Sequence, residues 1–395
     1  MGEPFSTDDR PGTVAEEPGR QTTTTTTEMT AGERAEAKQY GWLTFLGDLA
    51  DKSLDLAFLV VMAFVLAAPV DRWLGGFTTL AHSPTLRLAA LFLITIGLHI
   101  AISLPLSYYR GHVLEHRFGL SNLTFGPWLG RYIKRMSLAV LFGLGMFVGL
   151  FWLIWTVGSL WWLVAAVAFF LVSIVLGQLT PVLIMPLFYN IERIDDEQLE
   201  HRMSRLSEGT GLTIEGVYRM DLSAETSKAN AMLAGMGRTR RVLMGDTVLE
   251  NFTPEEIEVI FAHEIGHHVY RHIRKMILAG VVFSAAGFWL CDQVFVHSDG
   301  WTNHQAMPIV MLPLLMLAIN VFSLLLEPVQ NAISRRYERQ CDRYALERTG
   351  DREAYRGAFR KLARLNKDDP APHWLEVALF HSHPPISERL AMADQ

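Results

Sequence analysis

Charge and cysteine are what this chain has least of. Only 19% of its 395 residues are charged, against about 25% in an ordinary soluble chain. Two cysteines, Cys291 and Cys341, are too few for a disulfide framework. Cys291 lies in an apolar run, where a thiol behaves as a small hydrophobe. There is no basic excess: the net charge is −6, which gives no sign of the positive face that nucleic acid requires, and no nucleic-acid partner is expected. No apolar core follows a basic start, so the first residues do not read as a secretory signal. Residues 1–39 are polar, mixed in sign and include TTTTTT at 22–27, and they read as a disordered tail.

Apolar residues fill the gap that charge leaves, at 50% of the chain. Crossing a bilayer core takes about 20 of them in a helix. Six stretches approach that length: Leu54–Val70, Leu88–Tyr108, Ser137–Trp155, Leu160–Phe188, Met276–Val296 and Met307–Leu326. The amphipathic segment at 40–53 reads as a lead-in lying along the interface. The expected fold is therefore mainly α and polytopic, with about six transmembrane helices. A domain of four spans covers 40–188, and a second domain at 189–395 carries the other two. Arg110, Arg117, Arg131, Lys134 and Arg135 follow the second span, and Arg335, Arg336, Arg339 and Arg343 follow the sixth. The links after spans three and five carry no Lys or Arg, which places both termini on the cytoplasmic side.

Residues 261–272 read FAHEIGHHVYRH. His263 and His267 sit one helical turn apart on one face, so their imidazoles can hold one ion. Glu264 stands about 100° round the helix, placed to act as general base. Beyond two apolar spans, SRRYERQCDRYA repeats the spacing with Glu338 and Asp342. Glu338 could be a third ligand, and Asp342 could orient a ligating histidine through its second N–H. Heights agree as well, since His267 and Glu338 both stand on the order of 14–18 Å above one membrane face at 1.5 Å per residue. Two imidazoles and one carboxylate make Zn2+ the best fit, one ion per chain. A second i, i+4 pair, His268 and His272, faces elsewhere and reads as polar-face residues or as supports behind the ligands, not as ligands.

Around this cluster, residues 189–250 read as a small α/β element, with strands in IEGVYRMD and RRVLMGD. Thr253 is a plausible N-cap for the histidine helix, with Pro254 in its first turn. A strand edge beside a metal offers a way to bind an extended peptide. Near the end, HSHPPISERL supplies His381, His383 and Arg389, donors that could stabilise an oxyanion.

Taken together, these motifs resemble the type-1 CAAX prenyl endopeptidases, integral-membrane gluzincin metalloproteases. The matching stretches are HEIGHH at 263–268, SRRYERQCDRYA at 334–345, NAMLAG at 230–235 and SHPPISERL at 382–390. EHRFGLSNLTFGPWL at 115–129 and TPVLIMPLFYNIERI at 180–194 add to them. The resemblance implies metal ligands His263, His267 and Glu338, the general base Glu264, and Asp342 behind a ligand histidine. It further implies main-chain substrate contacts at Asn230 and Ala231, and His383 and Arg389 as stabilisers of the intermediate. It also implies helices ringed around a water-filled chamber, which would accommodate His99, Gln178 and Asp292 within spans. The family typically has seven membrane helices, one more than the spans counted here.

The expectation is a membrane-embedded zinc endopeptidase with its active site on the cytoplasmic side. Its substrate would be a peptide or protein, C-terminally lipidated if the family's habit holds, and its other partner the lipid bilayer. A general quality-control protease of membrane proteins is the alternative within enzymes. A non-hydrolytic zinc scaffold or transporter is the alternative outside them, but it has no need of Glu264.

Overall fold

The computed structural model describes residues 28–235, 240–299 and 303–395, so the threonine run at 22–27 lies outside the described residues. Helix α1 spans Ala31–Gly75. It starts at Thr30, whose hydroxyl accepts from the Glu33 amide at 3.2 Å while the Glu33 carboxylate accepts from the Thr30 amide at 2.8 Å. That capping box corrects the expected tail: residues 31–39 are helical. The 40–53 lead-in is likewise no separate interfacial helix but the first half of one long rod. Gly47 makes room along it, since a Cβ there would sit 2.8 Å from Arg110 Nε. Arg110 reaches across that gap to Asp48 and Asp51.

Helix α2 covers Pro84–Arg117. The next 63-residue segment, Phe125–Leu187, doubles back on itself. Its first arm, α3 (Phe125–Val157), ends at Gly158, whose φ of 74° turns the chain, and α4 (Trp161–Leu179) returns. Arg131 and Lys134 at the start of α3 donate to the carbonyls of Phe188 (3.0 Å) and Leu187 (2.8 Å) beyond α4, closing the hairpin.

The second half opens with β1 (Ile191–Arg193), α5 (Glu197–Ser207), β2 (Gly216–Met220), β3 (Ala231–Ala234) and β4 (Arg241–Gly245). The sheet order is β1-β2-β4-β3, with β2 and β4 parallel and β3 on an edge. Then come α6 (Pro254–Val269), α7 (His272–Asp299) and α8 (Leu312–Thr349). Three shorter helices finish the chain: α9 (Arg352–Asn366), α10 (Trp374–Phe380) and α11 (Ile386–Met392). Each expected apolar span overlaps one of the rods α1–α4, α7 and α8.

The core of the second half is one cluster, in which Val259, Phe261, Ala262 and Ile265 of α6 meet Tyr355 and Phe359 of α9. Of the three polar groups expected within spans, Gln178 is exposed and two are paired with protein: His99 Nε2 lies 2.7 Å from Asp55. Asp292 Oδ1 takes the Trp161 indole at 2.7 Å and faces His304 Nε2 at 2.7 Å.

Candidate active site

Helix α6 begins as its sequence predicts. The Thr253 hydroxyl accepts from the Glu256 amide, the Glu256 carboxylate returns the bond, and Pro254 occupies the first turn. Helix α8 packs along it, and Gly266 sets how closely: a Cβ there would lie 3.0 Å from Cys341 Cα. At that separation His263 Nε2 stands 3.0 Å from Glu338 Oε2, and His267 Nε2 stands 3.3 Å from Glu338 Oε1. One turn further along α8, Asp342 Oδ1 meets His263 Nδ1 at 2.8 Å. Arg389 of α11 grips that aspartate with Nη2 at 2.6 Å and Nε at 2.9 Å.

These contacts decide which lone pairs are free. A neutral His263 that gives its Nδ1–H to Asp342 turns a bare Nε2 towards Glu338. Glu338 is 4% exposed, and its Oε2 has no hydrogen-bond partner. Two buried donors, His263 and Glu338, and the half-buried His267 thus converge on one point, which a divalent cation satisfies and an apolar neighbour does not. Burial works against charge on His263, but the bond to Asp342 and, once the ring is protonated, the facing Glu338 carboxylate outweigh it and push the imidazole up to about 9. A cation therefore competes with a proton for that nitrogen. Cys341 also places a ligand atom within 4.8 Å of others from His263 and His267. Glu338 is the better third donor, because both Nε2 atoms face it. The wholly buried Cys341 thiol packs on Gly266, with Sγ 3.5 Å from His272 Nδ1.

A cleft of about 540 Å3 opens beside the cluster, lined by His263, Glu264, Asn230, Ala231, His383 and Arg389. Its opposite wall is α1, through Tyr40, Thr44, Phe45 and Asp48. Glu264 Oε2 accepts from the Leu233 amide of edge strand β3 at 3.3 Å. The chain entering that strand is held at both Ala229 backbone groups by Asn366, at 2.8 and 3.3 Å. Asn230 itself gives its carbonyl to the Gly245 amide at 2.9 Å.

His383 is exposed at the cleft, with Nε2 3.5 Å from Glu338 Oε2. Arg389 is buried, and two of its nitrogens are engaged by Asp342. His381 pairs with Glu376 at 3.1 Å, and His268 faces Arg240 at 2.6 Å. His272, off the ligand face as expected, takes the second of the two roles read for it and supports a ligand: its Nδ1 lies 3.2 Å from that of His267. Asn366 and the Leu233 amide were not anticipated. A backbone amide carries no sequence signal, and Asn366 acts 137 residues from Ala229.

Two imidazoles and a carboxylate on paired helices, a second glutamate on a peptide-sized cleft and an array of spanning rods define a membrane-embedded metallopeptidase. The profile of Peptidase family M48 matches residues 193–395. The profile described as "CAAX prenyl protease N-terminal, five membrane helices" matches residues 19–190. The chain belongs to Peptidase family M48. Among the described residues, four rods lie within the region whose profile speaks of five.

Similarity runs across most of the chain. A Bacillus subtilis protein named "Uncharacterized metalloprotease YhfN" is 28% identical over 93% of this chain and 87% of its own. CAAX prenyl protease 1 of Saccharomyces cerevisiae is 28% identical over 75% of this chain and 70% of its own. The crystal structure of S. mikatae Ste24p superposes with a TM-score of 0.73 at 22% identity. That alignment covers 92% of this chain and 99% of that one, and carries the fold.

Proposed function

We propose that this multi-pass metallopeptidase holds one Zn2+ through His263, His267 and Glu338 and cuts peptides laid along β3. The observation that carries the reading is the meeting of His263 Nε2 and His267 Nε2 on the buried Glu338 carboxylate, with Glu264 on the adjoining cleft. Zinc bound there would polarise a substrate carbonyl and lower the pKa of a water molecule. Glu264 takes a proton from the attacking water and passes it to the departing amine nitrogen. The Leu233 amide holds that carboxylate in place. Asp342 keeps the proton of His263 on Nδ1, and Arg389 keeps Asp342 ionised.

Substrate main chain pairs with the free edge of β3 from Ala231 on, as an added strand does, while Asn230, whose carbonyl is taken by Gly245, meets it from the cleft wall. His383, open to the cleft, donates to the oxyanion that forms on the carbonyl oxygen. Arg389 lends charge from behind, its Nη2 4.0 Å from Glu338 Oε2. A substrate anchored in the bilayer by a C-terminal lipid suits a cleft whose far wall is a spanning helix. The basic flanks of the spans favour a cleft on the cytoplasmic side.

The test uses purified protein in detergent and one peptide ending in Cys-aliphatic-aliphatic-X, with and without a farnesyl group. Glu264→Ala should retain zinc and lose cleavage by about 100- to 10,000-fold; full activity in that variant removes the mechanism. Cleavage of the farnesylated peptide alone supports a CAAX-type substrate. Equal cleavage of both peptides points to a general membrane-surface protease.

A further inference from the structure

The two histidines of the cluster are not supported alike. His263 leans on a carboxylate, whereas His267 leans on another imidazole. His267 Nδ1 lies 3.2 Å from His272 Nδ1, and His272 Nε2 lies 2.9 Å from Gln340 Oε1 on α8. The His272 ring is fully buried and stacked on Tyr337, with centroids 4.1 Å apart and an interplanar angle of 11°.

An unbroken helix would not make this contact, because residues five apart point about 140° away from each other. The chain breaks between α6 and α7, where Arg271 adopts φ 57°, a left-handed conformation that a residue with a side chain rarely takes. Only Arg271 and Lys367 do so among the described non-glycine residues. Strain held beside a functional cluster needs something to hold it. Here the break swings His272 back onto His267.

We propose that His272 is a positioning residue for the metal centre, with Gln340 behind it, and that together they set the tautomer of His267. The inference rests on the metal reading above. Gln340 Oε1 can only accept, so His272 Nε2 carries its proton. A neutral imidazole has one N–H, so His272 Nδ1 is bare and accepts from His267 Nδ1–H. His267 Nε2 is then left with its lone pair towards Glu338, the form that binds a metal. With the relay reversed, His267 would carry its proton on Nε2 and could not ligate.

The experiment measures zinc affinity of the full-length chain in detergent by competition with a chelating dye, alongside thermal unfolding of the zinc-saturated protein. His272→Ala should weaken zinc binding by about 10- to 100-fold. His272→Asn, whose amide oxygen can stand where Nδ1 stood, should recover most of that loss. Gln340→Ala should weaken binding in the same direction with less disturbance to packing, so it decides the matter if His272→Ala fails to fold. The absorption spectrum of the Co2+-loaded protein should shift in His272→Ala and return in His272→Asn. Arg271→Gly, which relieves the backbone without touching the relay, should bind zinc as the parent does. Parental affinity in both His272→Ala and Gln340→Ala overturns the inference while leaving the metal reading intact. A parent chain that takes up no zinc overturns both.

Discussion

Phe64 on α1 leaves 70% of its surface open, whereas Phe261 on α6 leaves 1%. The rods and the peptidase core turn their apolar residues in opposite directions. In the peptidase core they pack inward against α9 and the sheet, and charge gathers at the cleft. In the rods Leu325, Leu141 and Leu278 point outward at 67–73% exposure, and polar groups hide in pairs such as Asp292 with His304. One chain is thus built for two solvents. What counts as a sound surface in one would be a defect in the other.

The largest break in that contrast should come from Phe261→Ala, costing about 3–5 kcal/mol by leaving a cavity in a closed core. Thermal unfolding in detergent measures it, and a loss under 1 kcal/mol would mean the core is not closed. Arg389→Met should cost a similar amount, about 3–5 kcal/mol, because the Asp342 charge is left buried with only His263 beside it. Zinc content should fall with it, and a chain that keeps both would make Arg389 a bystander. In the rods, Asp292→Ala strands the Trp161 indole and should cost about 1–3 kcal/mol, with zinc binding unchanged. Lost zinc binding there would show the rods and the core to be coupled.

Acidity should separate the forms of the peptidase half. The pKa of His263 is raised from 6.5 to about 9. In the metal-free protein its contribution to stability is complete below 6.5 and is lost as pH rises through 9. Zinc binding runs the other way, tightening about tenfold per pH unit up to 9 as the proton leaves. Parallel slopes in the two measurements would remove His263 from the ligand set. The smallest effect belongs to Phe64→Ala, within about 0.5 kcal/mol in detergent, since that ring touches little protein. A larger loss would mean a protein partner covers it.

The sequence made some of this plain and hid the rest, for physical reasons. Residues four apart share a helix face, so His263 with His267 and Glu338 with Asp342 could be paired on paper. The apolar spans were equally visible because bilayer thickness dictates their length. Tyr270-Arg271 contains neither glycine nor proline, so nothing in the sequence marked the break between α6 and α7. The Thr30–Glu33 capping box was present but lay inside a polar stretch. Strand β3 is only four residues long and falls in a segment read as a connection between strands. Asn366 and Ala229 meet only through the tertiary fold.

Both legs of the hairpin that carries the cluster contain a joint. On one leg Arg271 interrupts the helix four residues beyond His267. On the other, Pro328 sits inside α8 ten residues before Glu338 and withholds an amide from the carbonyl of Leu324. A bilayer thickens, thins and tilts its helices continually. Rigid legs would transmit each such movement to the histidines and the glutamate, whose spacing tolerates little of it. With a break at Arg271 and a missing backbone bond at Pro328, the softest points of both legs lie between the rods and the three donors.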